Sequence, residues 1–214
     1  MTTTRTTLAI SIGIISDIRR KDMGAKLADL VDADFLSVDD GSLGCTQNHA
    51  QAWQRHATKP ADWNLNLEDD AVPVEQFRDQ LDKALEAAPT PIVSLYLGGG
   101  YIGDNLTEAL LDNASTIGAH WAVAHGTILH AVALAVRQEI LAPMIEYLGT
   151  RTEAVDSTLS SWALRNSYQV GYSIPSLVDH ADEKSLVTKY RRTPRRAFLT
   201  GRRDEWCSKL ILMS

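Results

Sequence analysis

Hydrophobic and polar positions change period several times along the chain, and each change predicts an element. Leu8 to Ile15 (LAISIGII) is an apolar run rich in β-branched residues that reads as a strand, ending in the polar loop Ser16-Asp17-Ile18-Arg19-Arg20. Met23, Leu27, Leu30 and Val31 then recur at helical spacing. A short strand is expected over 34–38, running into the turn sequence Asp39-Asp40-Gly41. Thr46 is placed to cap a helix that carries Ala50, Trp53 and Ala57 on one face. Trp63 to Leu67 alternates like a strand and stops at Glu68-Asp69-Asp70. Pro73 is expected to open an amphipathic helix with Val74, Phe77, Leu81, Leu85 and Ala88 on one stripe. Pro91 to Leu97 predicts another strand, followed by Gly98-Gly99-Gly100. A strand over 120–124 then leads into a helical region through Tyr147, broken near Pro143. A helix over 153–165 and a short strand over 169–172 follow.

Such alternation implies an α/β fold, with a mainly parallel sheet flanked by helices. The expected division is a catalytic body over 1–183 and a basic segment over 184–214 that packs on or beside the site. In open α/β sheets the ligand lies beyond the carboxyl ends of the strands. Three polar clusters fall at such ends, Ser16-Asp17, Asp39-Asp40 and Glu68-Asp69-Asp70, and they should meet in one crevice.

Composition narrows the class. With 214 residues, 44% hydrophobic and 22% charged, the chain reads as an ordinary globular protein, not a fibrous or disordered one. Its longest apolar run, Ile128 to Val136, is interrupted by His130 and is too short to span a bilayer. Met-Thr-Thr-Thr-Arg at the start lacks the plan of a secretory signal, and Cys45 and Cys207 form no CxxC pair or disulfide framework. The expectation is a cytoplasmic protein with no membrane partner. The net charge of −6 hides an asymmetry: Lys184, Lys189, Arg191, Arg192, Arg195, Arg196, Arg202 and Arg203 fall in one stretch without an acidic residue. That stretch is either a solvated tail or a contact for a polyanion, diphosphate or nucleic acid.

Three consecutive carboxylates at a strand end repel one another, so stability gives little reason to place them there. Oxygen ligands of this kind suit Mg²⁺ or Mn²⁺, which bind through one or two carboxylates plus substrate phosphates. Along a strand, Glu68 and Asp70 should face one side and Asp69 the other. The competing reading is an acidic flank for the following helix, favoured by its dipole. No His-Glu-x-x-His, P-loop or Gly-x-Gly-x-x-Gly pattern is present, which argues against a zinc hydrolase and the common nucleotide loops. Gly98-Gly99-Gly100-Tyr101 is expected to be a mobile loop on the acceptor side, and Cys45 to lack a basic partner.

Leu67-Glu68-Asp69-Asp70-Ala71, behind a strand and ahead of a helix, resembles the DXD-type motif of GT-A-fold glycosyltransferases. The likeness is greatest to family 25, the lipopolysaccharide and collagen galactosyltransferase group. Gly44-Cys45-Thr46-Gln47-Asn48-His49, followed by Trp53, is similar to that family's "GC…SH…W" segment, with Asn48 where the family has serine. Gly118-Ala119-His120-Trp121-Ala122-Val123 resembles its Gly-Thr-His-aromatic strand. These pieces keep the family's order over about 8–180, and the chain has a general likeness to bacteriophage glycosyltransferases. The resemblance implies a nucleotide-sugar donor, a UDP-sugar first, bound around Asp17, Arg19, Asp39, Glu68 and Asp69. It implies that Asp70 ligates Mn²⁺ or Mg²⁺ directly, with Glu68 assisting and His180 as a third protein ligand.

Asp156, in Ala154-Val155-Asp156-Ser157, is the candidate base of an inverting transfer, which needs a carboxylate to take the acceptor's proton. Its competing reading is a first-turn carboxylate satisfying helix amides. His180 is otherwise a surface residue, His49 a packing residue, and His120, His125 and His130 core or surface. For the acceptor, a hydroxymethylated base in phage DNA, contacted through Lys184–Arg203, is weighed against a carbohydrate. A nucleotidyltransferase or phosphohydrolase using the same carboxylates, or a non-catalytic polyanion-binding module, remain open from sequence.

Overall fold

A computed structural model of the protein describes residues 8–99, 104–149, 151–183, 186 and 194–213. Among the described residues ten strands and six α-helices follow one another: β1 (Ile10–Asp17), α1 (Lys21–Val31), β2 (Phe35–Asp39), α2 (Cys45–His56), β3 (Trp63–Glu68), β4 (Ala71–Pro73), α3 (Phe77–Glu86), β5 (Ile92–Ser94), α4 (Asp104–Ile117), β6 (Trp121–His125), β7 (Ala133–Arg137), α5 (Gln138–Leu148), α6 (Val155–Arg165), β8 (Gln169–Ser173), β9 (Val178–His180) and β10 (Leu210–Leu212). Eight strands form one sheet in the order β10-β6-β8-β5-β7-β3-β1-β2, and β4 pairs with β9 in a separate ribbon. The fold is mixed α/β, with a large sheet whose pairings are mostly parallel. The β1–β2, β1–β3, β5–β8 and β6–β10 pairs are parallel, and the antiparallel pairs are those around β7 and the β6–β8 pair.

Each face of the sheet buries one apolar cluster. On one side Leu27 and Val31 of α1 and Leu81 and Leu85 of α3 pack against Leu65, Leu67 and Trp121. On the other, Trp53 of α2, Leu141 and Met144 of α5 and Leu159 and Trp162 of α6 cover Leu134, Val136 and Tyr172. Among the described residues no helix is long and apolar enough to cross a membrane.

Several expectations need correction. The stretch after His130 is not helical: Ala133 to Arg137 is the strand β7, inserted antiparallel between β3 and β5. A strand covered on both faces is apolar throughout, so periodicity alone does not distinguish it from a buried helix. Pro143 does not break α5 but lies at its middle, exposed. The carbonyl that it deprives of a donor belongs to the first turn and can be hydrated. Pro73 does not open a helix either. It closes β4, opposite Val178, and α3 begins at Phe77, so Val74 and Ala88 lie outside it while Phe77, Leu81 and Leu85 form its buried stripe. Thr46 is not the cap of α2, which follows Gly44; its hydroxyl donates to the Glu153 carbonyl at 2.8 Å.

The C-terminal residues 194–213 fold back onto the body. Ala197 bridges to Gly98, Thr200 to Ser176, and β10 extends the sheet beside β6. Lys184, Lys189, Arg191 and Arg192 of the basic stretch lie outside the described residues.

Candidate metal centre and cavity

The carboxyl ends of β1, β2 and β3 lie side by side, with Asp17 opposite Asp39 and Ile15 opposite Glu68 in register. Asp69 turns toward β1, where the Ser16 hydroxyl donates to its Oδ2 at 2.9 Å and the Asp17 amide at 3.2 Å. Glu68 and Asp70 turn the other way. The β4–β9 ribbon explains what they meet: Ala71 pairs with His180, and the Ala181 amide donates to the Asp70 carbonyl at 2.8 Å. This short pairing brings a histidine from far along the chain to within 3.4 Å of Asp70, Nε2 to Oδ1, with both side chains buried.

One ligand atom from each of Glu68, Asp70 and His180 lies within 4.8 Å of the other two. A small side-chain adjustment would let all three hold one divalent cation. Asp70 Oδ1 is buried and accepts no hydrogen bond from a described residue, as a ligand atom awaiting a cation does. Its other oxygen, Oδ2, accepts from Arg20 Nη1 at 2.7 Å, and the same guanidinium reaches Asp69 at 3.2 Å. Two carboxylates and an imidazole fit Mn²⁺ better than Mg²⁺, since imidazole is a poorer ligand for the harder ion.

His49 of α2 stands behind Glu68, with Nε2 3.3 Å from its Oε1. Burial disfavours the charged imidazole, but the closeness of Cys45 and Glu68 and the attraction of their charges raise its pKa to about 10. Burial pushes the Glu68 carboxyl up, and the approach of His49 together with the charges of His49, His180 and Arg195 brings it below its ordinary value. Cys45 therefore does have a basic neighbour, one helical turn along α2, at the i,i+4 spacing that brings helix side chains together.

The predicted donor residues are already engaged. Asp17 holds Arg19 through Nε and Nη2, both at 2.7 Å, and the Arg19 bond brings its pKa down to about 2. Buried Asp39 accepts from the Gly41, Leu43 and Gly44 amides at 2.8–3.0 Å and so shapes the loop ahead of α2. Buried Asn48 links the strand ends, donating to the Ser16 carbonyl and accepting from Ser37.

That loop borders a cavity of about 470 Å³ whose lining includes Cys45, Glu68, His130, Val132, Asp156 and Arg195. Asp156, half-buried in the first turn of α6, accepts from the Ser157 amide, so it serves the helix and also faces the cavity. His130 and Arg195 were not singled out from sequence. The signal for His130 was a polar residue inside an otherwise apolar run. Tyr96 lies between the two histidines, edge-on to His130 at 5.4 Å and tilted to His180 at 6.3 Å. The Gly98-Gly99 part of the glycine run is not a free loop. Gly99 donates to the Arg196 carbonyl and its own carbonyl contacts His130, while a side chain at Gly98 would strike the Tyr96 hydroxyl. Gly100 and Tyr101 lie outside the described residues.

No protein-family model matches the chain, and no curated protein does. Among solved structures it is similar to A197 from STIV, with a TM-score of 0.43 and 10% identity over 85% of this chain and 98% of that one. It is also similar to a glycosyltransferase involved in the glycosylation of the major capsid of PBCV-1, with a TM-score of 0.32 and 14% identity over 67% of this chain and 68% of that one. At these values neither likeness decides what the site does.

Proposed function

We propose that this chain is a GT-A-fold glycosyltransferase that moves a sugar from a nucleotide-sugar, a UDP-sugar first, to an acceptor hydroxyl, with Mn²⁺ or Mg²⁺ on Asp70, Glu68 and His180. The observation that carries the reading is the convergence of those three side chains at the carboxyl end of the sheet. The cavity beside them is of a size that small-molecule sites have.

A bound divalent cation supplies positive charge that stabilises the diphosphate as it leaves. The protein's own residues do the rest. Arg20 fixes Asp70 with one oxygen toward His180. Asp69 ties β3 to the loop of Asp17 and Arg19, against which the nucleotide lies in this reading. Asp156 faces the cavity and takes the proton of the attacking hydroxyl, so a single displacement inverts the anomeric carbon. A hydroxymethylated pyrimidine is the first acceptor to try, flipped from its stack into the cavity, with a carbohydrate acceptor as the second.

The test is a thermal-shift titration with UDP, UDP-glucose, UDP-galactose and GDP-mannose, with and without Mn²⁺, on wild type, Asp70→Asn and Asp156→Asn. One nucleotide-sugar should stabilise the wild type only with metal, and Asp70→Asn should abolish the shift. Asp156→Asn should keep donor binding and lower transfer by about 10²–10⁴-fold. If no nucleotide moves the melting point, glycosyl transfer is the wrong reading. Release of free phosphate or pyrophosphate without an acceptor identifies a phosphohydrolase or nucleotidyltransferase. Binding indifferent to metal and to Asp70 identifies a non-catalytic module.

A further inference from the structure

The four arginines of the C-terminal stretch that the structure describes are employed differently. Arg196 pairs with Asp179 at 3.2 Å, and Arg202 lies 3.5 Å from Glu75. Arg203 donates to the Ile174 carbonyl at 2.7 Å and stacks over Trp206. Arg195 is different. Its backbone amide donates to Asp182 Oδ1 at 3.0 Å, which pins the chain, while its side chain lines the cavity. Its Nε is buried and has no hydrogen-bond partner among the described residues.

A buried N–H without an acceptor is costly, and a guanidinium recovers that cost best against a planar or tetrahedral anion that takes two of its bonds. Glu68 and Asp156 line the same cavity, yet neither forms an ion pair with Arg195 among the described residues. Arg195 shares the cavity with Glu68, one of the three clustered side chains, so an anion held at that cluster lies in the space that its guanidinium also borders.

We propose that Arg195 is the anion-binding residue of this cavity and that it takes the diphosphate of the ligand and not a nucleic-acid backbone. The identity of the diphosphate as a donor's leaving group rests on the glycosyltransferase reading; the anion site itself does not. Arg195 thereby separates the basic stretch into parts: three described arginines pair with other groups of the chain, and one serves the site.

The experiment is calorimetric titration of inorganic pyrophosphate into wild type, Arg195→Gln, Arg195→Lys and Asp70→Asn, each in Mn²⁺ and in EDTA. Mn²⁺ alone and a short single-stranded oligonucleotide are titrated in parallel. The pinning bond runs through the backbone amide, which glutamine and lysine also possess, and circular dichroism checks that each variant is folded. Loss of a charge-assisted pair predicts about ten- to hundredfold weaker pyrophosphate binding in Arg195→Gln, part of it recovered in Arg195→Lys, with Mn²⁺ affinity unchanged. Pyrophosphate binding that is equal in wild type and Arg195→Gln, or absent from wild type, overturns the proposal. A loss confined to the oligonucleotide also overturns it and assigns Arg195 to nucleic acid. If pyrophosphate binding depends on Arg195 while Mn²⁺ does not bind and Asp70→Asn has no effect, the anion site stands and the metal reading falls.

Discussion

Replacing Arg20 with methionine removes a guanidinium that Asp69 and Asp70 share and keeps most of the side chain's volume. Arg20 Nη1 lies 2.7 Å from Asp70 Oδ2 and 3.2 Å from Asp69 Oδ1, and the three side chains are 15%, 4% and 8% exposed. Unit charges about 4 Å apart at an effective dielectric of about 20 attract by about 4 kcal/mol, so the attraction is large at each contact. Desolvation offsets much of it in the intact pair, but truncating one partner leaves the other charge buried, at a measured cost of about 3–5 kcal/mol. Arg20→Met should therefore lose about that much stability in EDTA, a large share of what a domain of this size has. The same loss of positive charge makes Asp69 and Asp70 more attractive to a cation. A ligand at a hundred times its Kd adds about 2.7 kcal/mol to the native state, so Mn²⁺ should restore part of the loss and stabilise the variant more than the wild type. Urea unfolding followed by tryptophan fluorescence, with EDTA and with Mn²⁺, measures both quantities. A variant within about 1 kcal/mol of wild type in EDTA would show that the buried pair is no net stabiliser. Equal Mn²⁺ increments would show that these carboxylates do not hold the metal.

Two further outcomes are independent of that result. His56 is buried, with Nδ1 2.9 Å from Ser11 Oγ and Nε2 3.0 Å from Asn66 Oδ1, and burial brings its pKa down from 6.5 to about 4. Between those values the unfolded chain binds the proton and the folded chain does not, so this contribution is complete above about pH 6.5 and is lost as the pH falls toward 4. From pH 7.5 to 5 the wild type should lose about 2 kcal/mol more than His56→Gln in chemical unfolding; parallel losses would refute the assignment. Cys45 is exposed on the cavity rim and Cys207 is exposed away from it. The nucleotide-sugar that binds with Mn²⁺ should slow iodoacetamide labelling of Cys45 and leave Cys207 unchanged, by peptide mass spectrometry; equal labelling would place the ligand elsewhere.

Much of the frame was legible in the sequence because local periodicity writes it there. The strands β1, β2, β3, β6 and β8 and the helices α1, α2 and α6 follow from runs and stripes within a dozen residues, and the core positions Leu27, Trp53, Leu81 and Leu85 follow with them. The acidic triplet stood out because three neighbouring carboxylates at a strand end have no local reason to be there. Strand alternation also separates Asp69, bound to Ser16, from Glu68 and Asp70. Where local signals mislead, they do so for a physical reason. Pro73 is as acceptable at the end of a two-stranded ribbon as at the start of a helix, and the apolar Ala133 to Val136 suits a buried strand as well as a buried helix.

The company each side chain keeps emerges only when the chain is folded. The sequence by itself determined the class of fold, the order of most elements and a carboxylate cluster suited to a hard cation. It did not determine that Ala71 pairs with His180, that Arg20 bridges Asp69 and Asp70, or that Arg195, alone of the described C-terminal arginines, faces the cavity. Those placements depend on contacts between segments far apart in the chain. Backbone pairing and burial select such contacts together over the whole sheet, and no window of neighbouring residues records them.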